Sequence, residues 1–417
     1  MTVIASDERR PLELDRTDPL PTRRSEFHVP PFRDGEVAYF AGNSLGLQPR
    51  RLRARLDREL ADWAELGVEG HLEAEHPWLS YHERLRDPAA RLVGARPAEV
   101  VVMNSLTVNL HLLMVSFYRP TPERPVILIE DTAFPSDSYA VRSQAAFHGY
   151  DPDDVVVRLT PRAGESALRS SDVARYLAEH GERVALVLLG GVNYYSGEWL
   201  DIPAITAAGH AAGAMVGWDL AHAAGNVPLR LHDWDVDWAA WCSYKYLNGG
   251  PGAVAGAFVH ERHVCDRSLP KLAGWWATEP ATRFEMAPTV TPVDSADSWQ
   301  VSNPPILAMA PVLVALQMFD ETGMDALRAK SVRLTGYLDS LLAGRDVLTP
   351  RDPERRGAQL SVRVPDATGV SRRLREEFGV IADSREPDVV RLAPVPMYCT
   401  FHDCWRAATA LAAVLDG

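Results

Sequence analysis

The chain has 417 residues, 46% of them hydrophobic, enough for a large domain with its own core and a smaller satellite. Its formal net charge of −13, from 43 basic and 56 acidic side chains, leaves no global basic field for nucleic acid or an anionic membrane. No apolar run approaches the roughly 18 residues that span a bilayer, and the first 24 residues mix Asp, Glu and Arg without a signal-peptide core, so small-molecule chemistry in a soluble cytoplasmic protein is expected.

In chain order, residues 1–40 read as an N-terminal segment that packs on the small domain or on a partner, with Pro-rich irregular stretches at 19–31 and again at 120–125. Short β-rich apolar runs follow at 126–129, 184–189, 214–218 and 239–242, with helical stretches between them. One such stretch, 202–212, has Pro203 near its start and Gly213 just past its end, so 186–219 reads as a βαβ unit. This alternation predicts an α/β fold with a mainly parallel sheet in a large domain, 41–305. Beyond Pro305 the texture changes to a long helical stretch through Leu316 and Leu341, a strand at 360–364, a charged helix at 371–378, a strand at 389–392 and a closing helix, which predicts a smaller α+β domain over 306–417. The four cysteines, Cys242, Cys265, Cys399 and Cys404, lack CxxC spacing and read as reduced thiols.

Two strand ends carry chemistry. The run 214–218 ends in Asp219, followed by His222, where the carboxyl edge of an open sheet accepts ligands. The next run leads into Ser243, Tyr244 and Lys245 and then a turn containing Gly249, Gly250 and Gly252. A cofactor aldehyde on a pyridine ring needs a lysine amine to form its imine, and a carboxylate to keep the ring nitrogen protonated as an electron sink. Asp219 and Lys245 supply both groups. Its phosphate needs a cradle, and residues 104–109, with Thr107, precede a helical stretch whose N-terminus offers free amides and a positive dipole end.

Residues 39–49, Phe134 to Asp137, 218–226, 231–234, 241–248, Gly274 with Trp275, 302–305 and 391–396, in this order and covering almost the whole chain, resemble the kynureninase family. The resemblance implies a fold-type-I, aminotransferase-like pyridoxal-phosphate enzyme and a homodimer with sites at the subunit interface. It implies hydrolysis of a kynurenine to an anthranilate and alanine. It makes Lys245 the Schiff-base lysine, Asp219 the partner of the pyridine nitrogen and Tyr244 a proton relay. Leu106, Thr107 and Tyr244 would bind the phosphate, with Trp275 and Asn303 reaching in from the second subunit. Phe134 would stack on the ring, Pro135, Ser136, Asp137 and His222 would line the same site, and Arg391 would take the substrate carboxylate. Ser44, His71, Thr278 and Asn303 fall on the aromatic side of the substrate. Two positions depart from the family: Gly190 replaces a serine, and Ala277-Thr278 replaces Gly-His. The second departure enlarges the pocket and points to 3-hydroxykynurenine or a further-substituted derivative over plain kynurenine.

Rival readings are weaker. Gly42 to Gly46 matches G-x-S-x-G, but Pro49 follows too soon for a nucleophile elbow. Asp233, Asp235 and Asp237 lack the Gly and Glu that a calcium loop needs, and His71, His76 and His82 lack zinc-ligand spacing, so no metal is expected. Cysteine desulfurases and aminotransferases share the Asp and Lys pair and are the alternative activity. A desulfurase would need a mobile cysteine, for which Cys399 and Cys404 are the candidates.

Overall fold

The computed structural model describes residues 8–417, so the first seven residues of the N-terminal segment lie outside the described residues. Seven strands, β1 (Val100–Val102), β2 (Val126–Glu130), β3 (Val156–Leu159), β4 (Val184–Gly190), β5 (Met215–Asp219), β6 (Trp238–Trp241) and β7 (Gly256–Val259), lie in the spatial order β1-β7-β6-β5-β4-β2-β3. β3, β2, β4, β5 and β6 pair in parallel, and β7, between β6 and β1, runs antiparallel to both neighbours. Successive side chains point to opposite faces: Leu128, Val187, Leu189 and Val216 join one core, and Ile127, Ile129, Leu186 and Leu188 the other. Burial on both faces is why these strands read as continuous apolar runs rather than alternating ones.

The helices that matter here are α1 (Arg9–Arg16), α2 (Leu106–Phe117), α3 (Pro135–Phe147), α4 (Ile202–Ala211), α5 (Ile306–Thr322), α6 (Met324–Leu341), α7 (Ala367–Phe378) and α8 (Phe401–Asp416). The expected βαβ unit is β4-α4-β5: the Asp201 carboxylate accepts from the Ala204 amide at 3.1 Å to cap α4, and Gly213 follows its end at φ 76°. Beside it, a β-carbon at Gly217 would lie 2.2 Å from the Trp238 ring, so only glycine lets β5 and β6 carry that indole between them.

A second, antiparallel sheet is formed by β8 (Leu360–Arg363), β9 (Asp383–Arg385) and β10 (Val389–Leu392) in the order β8-β10-β9, with α7 and α8 packed nearby. The single long helix expected through Leu316 and Leu341 is two helices meeting at 81°, because Gly323 at φ 82° ends α5. At the other end of the chain, α1 lies against α8, and the Asp15 carboxylate accepts from the amides of Phe401 and His402 at 2.7 and 3.0 Å. Among the described residues, no single helix is long and apolar enough to cross a membrane.

Candidate active site

The parallel register brings the carboxyl ends of β4, β5 and β6 level, pairing Gly190 with Asp219 and Asp219 with Ala240. A cavity of about 400 Å³ opens at that edge, lined among others by Ser44, Thr107, Phe134, Asp137, His222 and Lys245. Lys245 is held on a tight loop in which the amides of Asn248 and Gly249 donate to the carbonyls of Lys245 and Ser243 at 3.0 and 2.8 Å. The Gly46 amide donates to the Tyr244 carbonyl at 2.8 Å, which docks the turn bearing Ser44 onto the lysine loop. That turn leads into no helix before Leu52, so it is no nucleophile elbow.

Charge in the cavity is divided. Lys245 Nζ donates to His222 Nε2 at 3.0 Å, and burial, followed by the charge of Lys245, holds His222 well below the usual histidine range. A neutral imidazole accepting at Nε2 carries its proton on Nδ1, and that buried atom has no partner. In the same cavity, Asp219 Oδ1 accepts from the Ala221 amide at 2.7 Å. Burial, then the Asp219 charge, push the Asp137 carboxyl well above the usual range, and its buried Oδ1 has no partner. Two buried carboxyls with an orphaned oxygen suit a ligand that brings an N–H or a positive charge.

The opposite requirement is met at the starts of α2 and α3. Neither Ser105 nor Phe134 makes a side-chain cap; the first-turn amides of α2 remain open, and at the start of α3, where Pro135 has no N–H and the Asp137 amide donates to the Phe134 carbonyl at 3.0 Å, the Ser136 amide remains open. The Thr107 and Ser136 hydroxyls lie 2.8 Å apart beside them. Two open helix N-termini with hydroxyls form a ready anion site, so the cavity's residues fit both ends of pyridoxal phosphate.

Of the residues expected from the sequence, Ser44, Leu106, Thr107, Phe134, Ser136, Asp137, Asp219, His222, Tyr244, Lys245 and Arg391 line this one cavity. The others do not line it within one chain. Pro135 starts α3. His71 packs edge-on against Trp78 at 5.4 Å, and Trp275 donates to the Arg283 carbonyl at 3.1 Å. The Thr278 hydroxyl bonds the Thr291 amide and carbonyl at 3.0 and 3.2 Å, so it is held by its own loop, and Asn303 is exposed. The sequence reading missed Glu130, Tyr194 and Arg385, which also line the cavity. Glu130 ends an apolar strand as Asp219 does, the same signal one strand away; burial pushes its carboxyl up to about 7 against a hydrogen bond from Asn193. A β-carbon at Gly190 would lie 2.9 Å from Glu130 Oε1, so the departure at 190 leaves room for this carboxyl. Cys399 and Cys404 are buried and line no part of the cavity; the Cys399 thiol donates to the Tyr39 carbonyl at 3.1 Å.

A model of the kynureninase C-terminal domain matches residues 327–411. A protein named kynureninase from Salinispora tropica is 65% identical, the match covering 99% of this chain and 98% of the relative. Another of that name, from Koribacter versatilis, is 54% identical, with 97% of each covered. Among solved structures, a cysteine desulfurase from Escherichia coli superposes with a TM-score of 0.76 at 17% identity, covering 94% of this chain and 97% of the other. The cystine C–S lyase C-DES, in a variant with glycine covalently linked to its pyridoxal-phosphate cofactor, gives 0.74 at 20% identity, covering 91% and 96%. At these identities the two structures establish the fold alone, that of fold-type-I pyridoxal-phosphate enzymes.

Proposed function

Because this chain belongs to the kynureninase family, we propose that it hydrolyses the Cβ–Cγ bond of L-kynurenine or L-3-hydroxykynurenine, with pyridoxal 5′-phosphate as cofactor, to give an anthranilate and L-alanine. The observation that carries this reading is the single cavity in which Lys245 faces two buried carboxyls and two open helix N-termini. When bound, the cofactor supplies a carbonyl that takes up an amine and a protonated ring that draws electrons from the bonds around the substrate's Cα.

The residues divide the remaining work. Leu106, Thr107 and Ser136 hold the phosphate at the starts of α2 and α3, where Pro135 sets the first turn. Asp219, with Asp137 beside it, would keep the cofactor's ring nitrogen protonated, and Phe134 would pack against the ring. Lys245 is the base for the substrate's Cα proton, and the neutral His222 accepts its N–H to keep the amine at the cavity wall. Water adds to the ketone at Cγ, and collapse of the adduct breaks the Cβ–Cγ bond. Tyr244, whose phenol is kept protonated chiefly by burial, relays the proton that completes alanine.

Ring specificity is assigned to Ser44 from this chain and to His71, Thr278 and Asn303 from a second. The test compares kcat/KM for kynurenine, 3-hydroxykynurenine and a ring-methylated 3-hydroxykynurenine in the native enzyme and in Thr278→His. The expected result is a preference for the substituted ring, in which the methyl group contributes about 10- to 200-fold at most, reduced by the histidine. Plain kynurenine as the best substrate, with ratios unmoved by the substitution, defeats the assignment. No turnover of any of the three defeats the proposed function itself.

The homodimer is part of the same proposal. Trp63, Leu72 and Leu307 are 58%, 65% and 42% exposed, and Trp63 and Leu307 flank an apolar groove. Exposed Trp275, Phe284 and Met286 form another apolar region around the loops that carry Thr278. Such surface suits burial by a second copy. Mixing inactive Lys245→Ala and Asn303→Ala enzymes is expected to restore part of the activity through hybrid dimers; a competent monomer in sedimentation overturns the shared site. Four free cysteines are in keeping with the cytoplasmic setting proposed for it.

A further inference from the structure

The guanidinium expected to grip the substrate carboxylate is already engaged. Arg391 on β10 is fully buried; its Nη2 is ion-paired with Asp383 and its Nη1 donates to the Tyr194 carbonyl at 2.7 Å. Only Nε, itself buried, has no partner. Each terminal nitrogen thus has one of its two N–H groups committed, so a substrate carboxylate taken end-on would compete with Asp383 and the Tyr194 carbonyl for this guanidinium, and weakening a buried ion pair is costly. A second guanidinium lines the same cavity. Arg385 on β9 donates through Nη1 to Asp383 Oδ1 at 2.5 Å and to the Ser384 carbonyl at 2.8 Å, while its Nε and Nη2 bond no other group among the described residues. Its side chain is 33% exposed, and that of Asp383 between the two arginines is 10% exposed.

The balance of charge is therefore one carboxylate to two guanidiniums at this end of the cavity. The same cavity is lined by Glu130, Asp137 and Asp219. A zwitterionic amino acid placed between them would set its carboxylate against the arginines.

We propose that Arg385 is a specificity-determining residue of the proposed reaction: its open donors, together with Arg391 Nε, bind the α-carboxylate of the amino-acid substrate, while Asp383 holds the two guanidiniums side by side. Arg391 is then the buried anchor, and Arg385 is the arm that meets the ligand. Burial, the main influence on Arg391, pushes its guanidinium below the usual arginine range, in keeping with a pair of cations short of one anion. This inference rests on the kynureninase reading, because it takes the substrate to be an α-amino acid.

The test uses the holoenzyme and two ligand pairs: kynurenine against its carboxamide in turnover, and L-alanine against L-alaninamide in binding, read from the change in cofactor absorbance. In the native enzyme each acid should bind better than its amide. In Arg385→Gln, KM and Kd for the acids should rise about 10- to 100-fold, those for the amides should stay nearly constant, and kcat should change little. Arg385→Lys keeps a cation beside Asp383 without the planar fork; it should show an intermediate loss, and it replaces the glutamine variant if that does not fold. Equal weakening of acid and amide would make Arg385 merely structural and overturn the proposal, as would unchanged constants for both. Native enzyme that cleaves no kynurenine overturns the functional reading instead, and the alanine pair still tests Arg385.

Discussion

Replacing Lys245 with alanine is expected to lower steady-state turnover by on the order of 10⁴-fold or more, since it removes both the cofactor's amine and the base for Cα. The fold should survive, because the loop is held by backbone bonds from Gly46, Asn248 and Gly249 that do not involve the side chain. Chemical proof of the assignment is unusually clean here, because the chain contains three lysines, Lys245, Lys271 and Lys330. Lys330 is buried and bonds the Leu20 carbonyl at 3.1 Å beside Asp18. Lys271 sits 3.8 Å over the Trp299 ring, and burial pushes its ammonium down to about 8, which makes it the competing amine at neutral pH. Lys245 alone of the three lines the cavity. Borohydride reduction and peptide mapping of the native enzyme should place the pyridoxyl group on Lys245. A label on Lys271 would overturn the assignment.

What made Lys245 and Asp219 readable was their position: each follows an apolar run that can be taken only for a buried strand, so a charge at its end falls on the sheet's ligand-binding edge. The same rule applied to the run 126–129 finds Glu130 at its end, just as the run 214–218 finds Asp219. β1 and β7 were missed because they have three and four residues, too few to show a period, and the glycines and alanines around β7 blur its limits; β3 was missed too, because its VVRL run carries an arginine and breaks the apolar pattern that marked β6. Arg385 gave no sign at all. It lies on a three-residue strand among Asp383, Ser384 and Glu386, where an arginine reads as an ordinary solvated charge, and only the fold turns it toward Tyr194 and Lys245. The motifs around His71, Trp275, Thr278 and Asn303 marked residues of interest, but linear order does not show whether a loop lines the cavity of its own chain. Sequence periodicity likewise ran α5 into α6, because one glycine between two helical patterns does not reveal its φ.

Asp219→Ala is expected to lose about 150- to 5,000-fold in kcat/KM, the effect of breaking a buried charge pair costing about 3–5 kcal/mol once the ring nitrogen has lost its carboxylate. The cofactor should bind more weakly, and its absorption should shift to the blue or disappear as the ring gives up its proton. The variant separates this role from a structural one because the two predict different stabilities. The carboxylate accepts one hydrogen bond from the Ala221 amide, worth about 1 kcal/mol, so its loss alone would destabilise the protein. Yet Asp219 is also the charge that, after burial, raises Asp137 well above the usual carboxyl range. A carboxyl raised on folding lowers stability as pH climbs from its unfolded value toward its folded one, so removing Asp219 relieves part of that cost at neutral pH. The two effects oppose, and the cofactor-free variant should melt within a few degrees of the cofactor-free native protein while the loaded enzyme is nearly inactive. Freed of its neighbour, Asp137 ionises more readily and can stand in for part of the lost charge, which is why the expected loss is smaller than for Lys245. Removing both carboxyls should bring the two losses level. A normal spectrum with normal turnover in Asp219→Ala would show that another group protonates the ring; a large drop in melting temperature would show that Asp219 serves the fold before it serves the cofactor.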